Sequence, residues 1–121
     1  MAKILFVDDE KDVTLAFKIA LESKRLQVDS YNDSFQALSN YTPGAYDLVV
    51  LDIRMPNMDG FALYQEIRKI DSNVKICFFT AAEKDLERKY REDYRSYKDL
   101  FLLKPISNED LLKQITKIMN S

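Results

Sequence analysis

Short continuous apolar runs alternate along this chain with segments whose apolar residues recur at helical spacing. That is the pattern of a parallel sheet covered by helices on both faces, an α/β architecture. Five strand and helix pairs fit, with strands predicted over Lys3–Val7, Gln27–Tyr31, Leu48–Leu51, Lys75–Phe79 and Leu100–Leu103. The second run is the most polar and reads as a sheet edge. Between the strands, Val13, Ala16, Phe17, Ala20 and Leu21 form one helical face, and Phe35 and Leu38 begin a short second helix that Pro43 and Gly44 end. Phe61, Tyr64, Ile67 and Ile70 form a third face. The last helix opens at Ser107 with Asp110 three residues on, a capping-box spacing, and carries Leu111, Leu112, Ile115, Ile118 and Met119 on one side.

The segment from Glu83 to Asp99 stands apart. Twelve of its seventeen residues are charged, six of each sign, and Leu86, Tyr90, Tyr94 and Tyr97 are its main apolar content. Those four sit at helical spacing, so the segment reads as a solvated fourth helix laced with charge pairs, its stripe covering the sheet. The polar tips of the tyrosines would also suit an interface.

At 121 residues the chain suits one domain over its whole length, able to bury about two thirds of the surface its unfolded form exposes. A formal charge of −2 argues against direct nucleic-acid binding through net positive potential. The apolar runs fall far short of the roughly 20 residues a membrane span requires, and the first residues lack a secretory signal, so the expected location is the cytoplasm, away from membranes. Cys77 is the only cysteine and there is no histidine to join it, so it reads as a small core residue.

In an open parallel α/β sheet, ligands bind outside the carboxyl ends of the strands. The polar residues follow that rule: Asp8 and Asp9 follow the first strand, Asp52 closes the third, Thr80 the fourth and Lys104 the fifth. Right-handed crossovers gather all five at one end of the sheet. Three carboxylates placed together cannot all stay ionised cheaply, and a divalent cation relieves them. Oxygen ligands without histidine or thiolate suit Mg²⁺. One carboxylate is then free to attack phosphorus. Asp52 is the best candidate, because Asp8 and Asp9 form the adjacent pair suited to metal. Lys104 and Thr80 supply the electrostatic partners that a transferring phosphoryl group needs. Taken singly, each residue has a plainer use as a helix cap, a loop hydrogen bond or a solvated charge.

Val7-Asp8-Asp9-Glu10, Leu51-Asp52-Ile53-Arg54-Met55-Pro56-Asn57-Met58-Asp59-Gly60, Phe79-Thr80-Ala81 and Phe101-Leu102-Leu103-Lys104-Pro105 together resemble, from end to end, the response-regulator receiver domains of two-component signalling. The resemblance implies a flavodoxin-like, doubly wound five-stranded sheet of order 2-1-3-4-5 with five helices. It makes Asp52 both the phosphoacceptor and a Mg²⁺ ligand, Asp9 a direct Mg²⁺ ligand with Asp8 beside it, and the backbone carbonyl of Arg54 a further ligand. Lys104 would pair with phosphoryl oxygens, Thr80 would turn its hydroxyl onto the phosphate, and Phe101 would swing inward as the switch aromatic. Pro105 would follow a cis peptide bond, and Gly60 would supply a backbone conformation hindered by a side chain or simply a turn. The implied partners are a sensor histidine kinase or histidine phosphotransfer protein upstream, and a downstream protein on the face of the fourth helix, fifth strand and fifth helix. A dimer formed on phosphorylation also fits.

One departure lies before the fifth strand, where Ser96-Tyr97-Lys98-Asp99 replaces the Gly and Ala usual in the family. This bears on the signalling face and not on the catalytic set. Arg54 and Ala82 occupy positions that tune phosphoryl lifetime in the family. A phosphatase of the haloacid-dehalogenase type would need a second aspartate two residues after the nucleophile, where this chain has Arg54. An inert interaction module would not need the set of five. The expectation is thus a phosphoacceptor switch that assists its own phosphorylation and dephosphorylation without turning over external substrates, either stand-alone or as the receiver part of a longer regulator.

Overall fold

The computed structural model describes residues 2–80, 101–103 and 107–120, apart from the side chains of Thr80, Phe101 and Leu103. In chain order the elements are β1 (Lys3–Val7), α1 (Lys11–Glu22), β2 (Gln27–Tyr31), α2 (Ser34–Ser39), β3 (Leu48–Asp52), α3 (Gly60–Ile70), β4 (Lys75–Thr80), β5 (Phe101–Leu103) and the C-terminal helix α4 (Asn108–Met119). The five strands form one parallel sheet of order β2-β1-β3-β4-β5, as the resemblance implied. The polar β2 is an edge. The charged helix expected over Glu83–Asp99 lies outside the described residues.

Alternation along the strands builds two cores. Leu5, Val7, Val49, Leu51, Ile76 and Phe78 face α2 and α3, meeting Ala37, Phe61, Leu63, Tyr64 and Ile67. Ile4, Phe6, Leu48, Val50, Cys77, Phe79 and Leu102 face the other way, onto Phe17 and Leu21 of α1 and Leu111, Ile115 and Ile118 of α4. The central strands are therefore apolar on both faces, which is why they read as continuous runs. Phe6 and Phe17 stack with ring centroids 4.0 Å apart, with Phe79 beside both. Cys77 is fully buried, and burial pushes its thiol up, as a core residue requires.

Three helical faces differ from expectation. In α1, Ala16 is exposed and Thr14 is buried in its place. In α2, Phe35 is 52% exposed while Ser34 and Ala37 turn inward, because a helix of six residues approaches the sheet through its small side chains. In α3, Ile70 is 47% exposed at the helix end and Leu63 is buried instead. The C-terminal helix follows its pattern: Ser107 Oγ accepts from the Asp110 N–H at 3.1 Å, and Leu111, Ile115 and Ile118 are buried. Lys75 at the start of β4 donates to the carbonyls of Ile118 (3.2 Å) and Met119 (2.7 Å), satisfying the last turn of that helix. Among the described residues, no helix is long and apolar enough to cross a membrane.

Candidate phosphoryl and metal site

Strand register assembles the carboxyl edge of the sheet. Val7 pairs with Leu51, so the next residues, Asp8 and Asp52, stand side by side at the ends of β1 and β3. Asp52 pairs with Phe79, and Thr80, one residue further along β4, pairs with Leu103 of β5. Asp8 is 0% exposed and Asp52 5% exposed. Two carboxylates held this deep at adjacent strand ends are costly unless positive charge meets them.

The turn after β1 adds two more acids. Carboxylate oxygens of Asp8, Asp9 and Glu10 lie within 4.8 Å of one another. Asp8 is buried under the turn, whereas Asp9 and Glu10 are exposed. The Glu10 N–H donates to Asp8 Oδ1 at 2.9 Å, which folds the turn over the buried carboxylate. The Asp8 N–H donates to the Tyr31 carbonyl at 3.1 Å, extending the pairing of β1 with β2 by one residue. The donor set is made of carboxylates, with neither imidazole nor thiolate, and so fits a hard divalent cation such as Mg²⁺.

The loop after Asp52 is fixed as firmly. Asn57 adopts φ 71°, the Met58 N–H donates to the Pro56 carbonyl at 2.8 Å, and Asp59 caps α3 by accepting from the Ala62 N–H at 2.8 Å. Gly60 opens α3, and its N–H donates to the Ile53 carbonyl at 2.8 Å. A Cβ at this position would lie 2.1 Å from the Asp52 carbonyl oxygen and 2.9 Å from its carbonyl carbon. The backbone here is one that a side chain would hinder, and not a plain turn. The role of the glycine is to let α3 start directly against the backbone of Asp52.

The structure thus brings Asp8 and Asp9 together with Glu10, and sets Asp8 beside Asp52. Arg54 lies in the following loop with its side chain exposed. Thr80 ends β4 and Phe101 opens β5, opposite Phe78. Lys104, Pro105 and Ala82 lie outside the described residues. Sequence reasoning left out Glu10, which joins the acids because of the turn that Asp8 itself caps. It also left out Asn32 and Ser34, whose contacts depend on β2 lying beside β1.

Known proteins are similar to this chain over nearly its whole length. The family model described as response regulator receiver domain matches residues 4–116. Transcriptional regulatory protein RprY of Bacteroides fragilis is 31% identical over 117 residues, covering 97% of this chain and 49% of that protein. The CpxR homolog of Haemophilus influenzae, also a transcriptional regulatory protein, is 33% identical over 119 residues, covering 98% of this chain and 51% of that protein. This chain spans about half the length of these curated relatives. Among solved structures, response regulator protein TrrA of Thermotoga maritima, crystallised in complex with Mg²⁺-BeF, superposes with a TM-score of 0.81 at 33% identity, covering 98% of this chain and 99% of that one. With the family model matched over residues 4–116, relatives 31% and 33% identical over nearly the whole chain and a parallel sheet of order β2-β1-β3-β4-β5, the chain belongs to the response regulator receiver domain family.

Proposed function

We propose that this chain accepts a phosphoryl group on Asp52, from a histidine kinase or histidine phosphotransfer protein, in a Mg²⁺-dependent reaction, and changes conformation to control a partner. The observation that carries the reading is the placement of Asp52, buried at the end of the central strand β3 and flanked through strand register by Asp8. In the transfer, a bond forms between an Asp52 carboxylate oxygen and phosphorus while the phosphorus–nitrogen bond to the donor imidazole breaks, its electron pair leaving with the nitrogen. Asp8, Asp9 and Asp52, with the Arg54 carbonyl, would hold the ion, and Glu10 stands beside Asp8 and Asp9. When bound, Mg²⁺ supplies positive charge to the equatorial phosphoryl oxygens. Asp8, anchored by the Glu10 amide, keeps the acidic turn in one shape before donor arrives, so little reorganisation remains for the reaction itself.

Lys104 and Thr80 are the proposed partners of the phosphoryl oxygens, and Thr80 and Phe101 the proposed switch. Register supports the pairing: Thr80 is the residue after Phe79, the cross-strand partner of Asp52, and Phe101 opens the adjacent strand. Phosphorylation would shift a pre-existing equilibrium between two arrangements of these residues, read by a protein on the face that the family resemblance assigns to a fourth helix, β5 and the C-terminal helix. Arg54 in place of a second aspartate supports a switch over a phosphatase acting on external esters. A single cytoplasmic receiver unit, dimerising on phosphorylation and reaching nucleic acid only through other parts or partners, completes the proposal.

The test is site mapping. After incubation with acetyl phosphate and Mg²⁺, borohydride reduction converts an aspartyl phosphate to homoserine, which tandem mass spectrometry locates. Homoserine at position 52 is the expected result, and modification elsewhere, or none, refutes the assignment.

A further inference from the structure

The loop that follows the edge strand β2 reaches both halves of the site. The Asn32 side-chain amide donates one hydrogen to the backbone carbonyl of Asp8 at 2.8 Å and the other to Thr14 Oγ1 at 3.0 Å. Thr14 is buried on α1, and its hydroxyl donates in turn to the Lys11 carbonyl at 3.1 Å. Asn32 therefore ties the end of β1 to the first turn of α1, and the acidic residues lie between those two anchors. Two residues later, Ser34 is 1% exposed, and its hydroxyl lies 2.8 Å from the Met58 carbonyl and 3.6 Å from Met55 Sδ. Met55 and Met58 belong to the loop that runs from Asp52 to Gly60. Asp33, between the two, caps α2 by accepting from the Gln36 N–H at 2.9 Å, which fixes the backbone from which both neighbours project.

We propose that Asn32 and Ser34 are positioning residues that bridge the acidic turn and the phosphoacceptor loop, setting the distance between the metal-holding carboxylates and Asp52. The inference rests on the reading of this edge as a Mg²⁺ and phosphoryl site. Asn32 and Ser34 each donate to a backbone carbonyl, that of Asp8 and that of Met58, so each fixes the course of a loop and leaves the functional carboxylates to their own ligands. Partners of this outer kind change metal affinity by about 10- to 100-fold when removed, because the ligands lose their preset arrangement. The bridge also makes the two loops respond together: displacing the 32–34 segment would move both.

The test compares Mg²⁺ binding by titration calorimetry in wild type, Asn32→Ala, Ser34→Ala and the isosteric Thr14→Val. Thermal unfolding without metal is recorded in parallel, with amide exchange of Glu10 and Gly60 in the metal-free proteins. Asn32→Ala and Ser34→Ala are expected to weaken Mg²⁺ binding by roughly tenfold each. Thr14→Val, which removes only one of Asn32's two partners, should shift it in the same direction by less. Exchange should quicken at Glu10 in Asn32→Ala and at Gly60 in Ser34→Ala. Folded variants that bind Mg²⁺ like wild type, with only a lowered unfolding temperature, would overturn the bridge and leave a merely structural role. Should wild type itself bind no Mg²⁺, the metal reading of the site fails, and the bridge is then decided by exchange: unchanged Glu10 and Gly60 rates overturn it, and faster ones uphold it.

Discussion

Replacing Gly60 with alanine puts the close approach of α3 to Asp52 to a quantitative test. The added Cβ would stand 2.1 Å from the Asp52 carbonyl oxygen and 2.9 Å from Ile53 Cα, and these are backbone atoms with no side-chain freedom to retreat. Restoring an acceptable contact needs a shift of roughly 1 Å in either the helix start or the strand end, in a close-packed interior. Overpacking of this kind costs about 1–3 kcal/mol. The hydrogen bond from the Gly60 N–H to the Ile53 carbonyl would be strained as well, at about 1 kcal/mol, against which alanine returns at most about 1 kcal/mol of helix propensity. The net loss should be about 1–3 kcal/mol, measured by urea unfolding followed by circular dichroism. Because the shift falls on the phosphoacceptor's own backbone, the rate of phosphorylation should drop more steeply than stability, toward about 100-fold for a 1 Å displacement. An alanine variant as stable and as quickly phosphorylated as wild type would refute the close-approach argument.

Other predictions rest on separate features. Phe78 is fully buried with its ring 4.9 Å from that of Phe61 and 5.6 Å from that of Tyr64, so Phe78→Ala should cost about 3–5 kcal/mol in the same unfolding assay. Ser107→Ala removes the cap of the C-terminal helix and should cost about 1 kcal/mol, with the loss largely restored by Ser107→Asp. Burial, with hydrogen bonds to Asp71 and Asp29, pushes the Tyr41 and Tyr46 hydroxyls up. Their contribution to stability is therefore complete below the ordinary tyrosine value near 10 and is lost as pH rises above it. Asp71 lies on the acid side: burial raises its carboxyl, but the Gly44 N–H, the Tyr41 hydroxyl, Arg68 and the Asn73 N–H outweigh burial and hold it low. Its contribution is present above the ordinary carboxylate value near 4 and lost as pH falls below it, so Asp71→Asn should flatten the acid limb of a stability profile.

The strands were legible because the central ones are buried on both faces and read as unbroken apolar runs, while β2 betrayed its edge position by its polarity. The ends of β3 and β4 run one residue past expectation, onto Asp52 and Thr80, because polar residues at the carboxyl edge still pair. Helical faces were harder to read. Ala16, Phe35 and Ile70 suit an inward stripe by spacing, yet α2 is too short to average over its turns and Ile70 stands where α3 leaves the sheet. Thr14 and Ser34 were missed because a hydroxyl signals surface until its buried acceptor is known. The acidic edge was visible because each carboxylate ends an apolar run. What held it could not be read: Asn32 lies twenty-four residues from Asp8 in sequence, and only the pairing of β1 with β2 joins them.

The central claim is that Asp52 takes a phosphoryl group with the help of the acidic turn. Intact mass after incubation with acetyl phosphate, with and without Mg²⁺, on wild type and Asp52→Asn, tests it most directly. A gain of one phosphoryl group in wild type that requires Mg²⁺ and is absent from the variant is the predicted result. No gain under any condition, or an equal gain in Asp52→Asn, would contradict it.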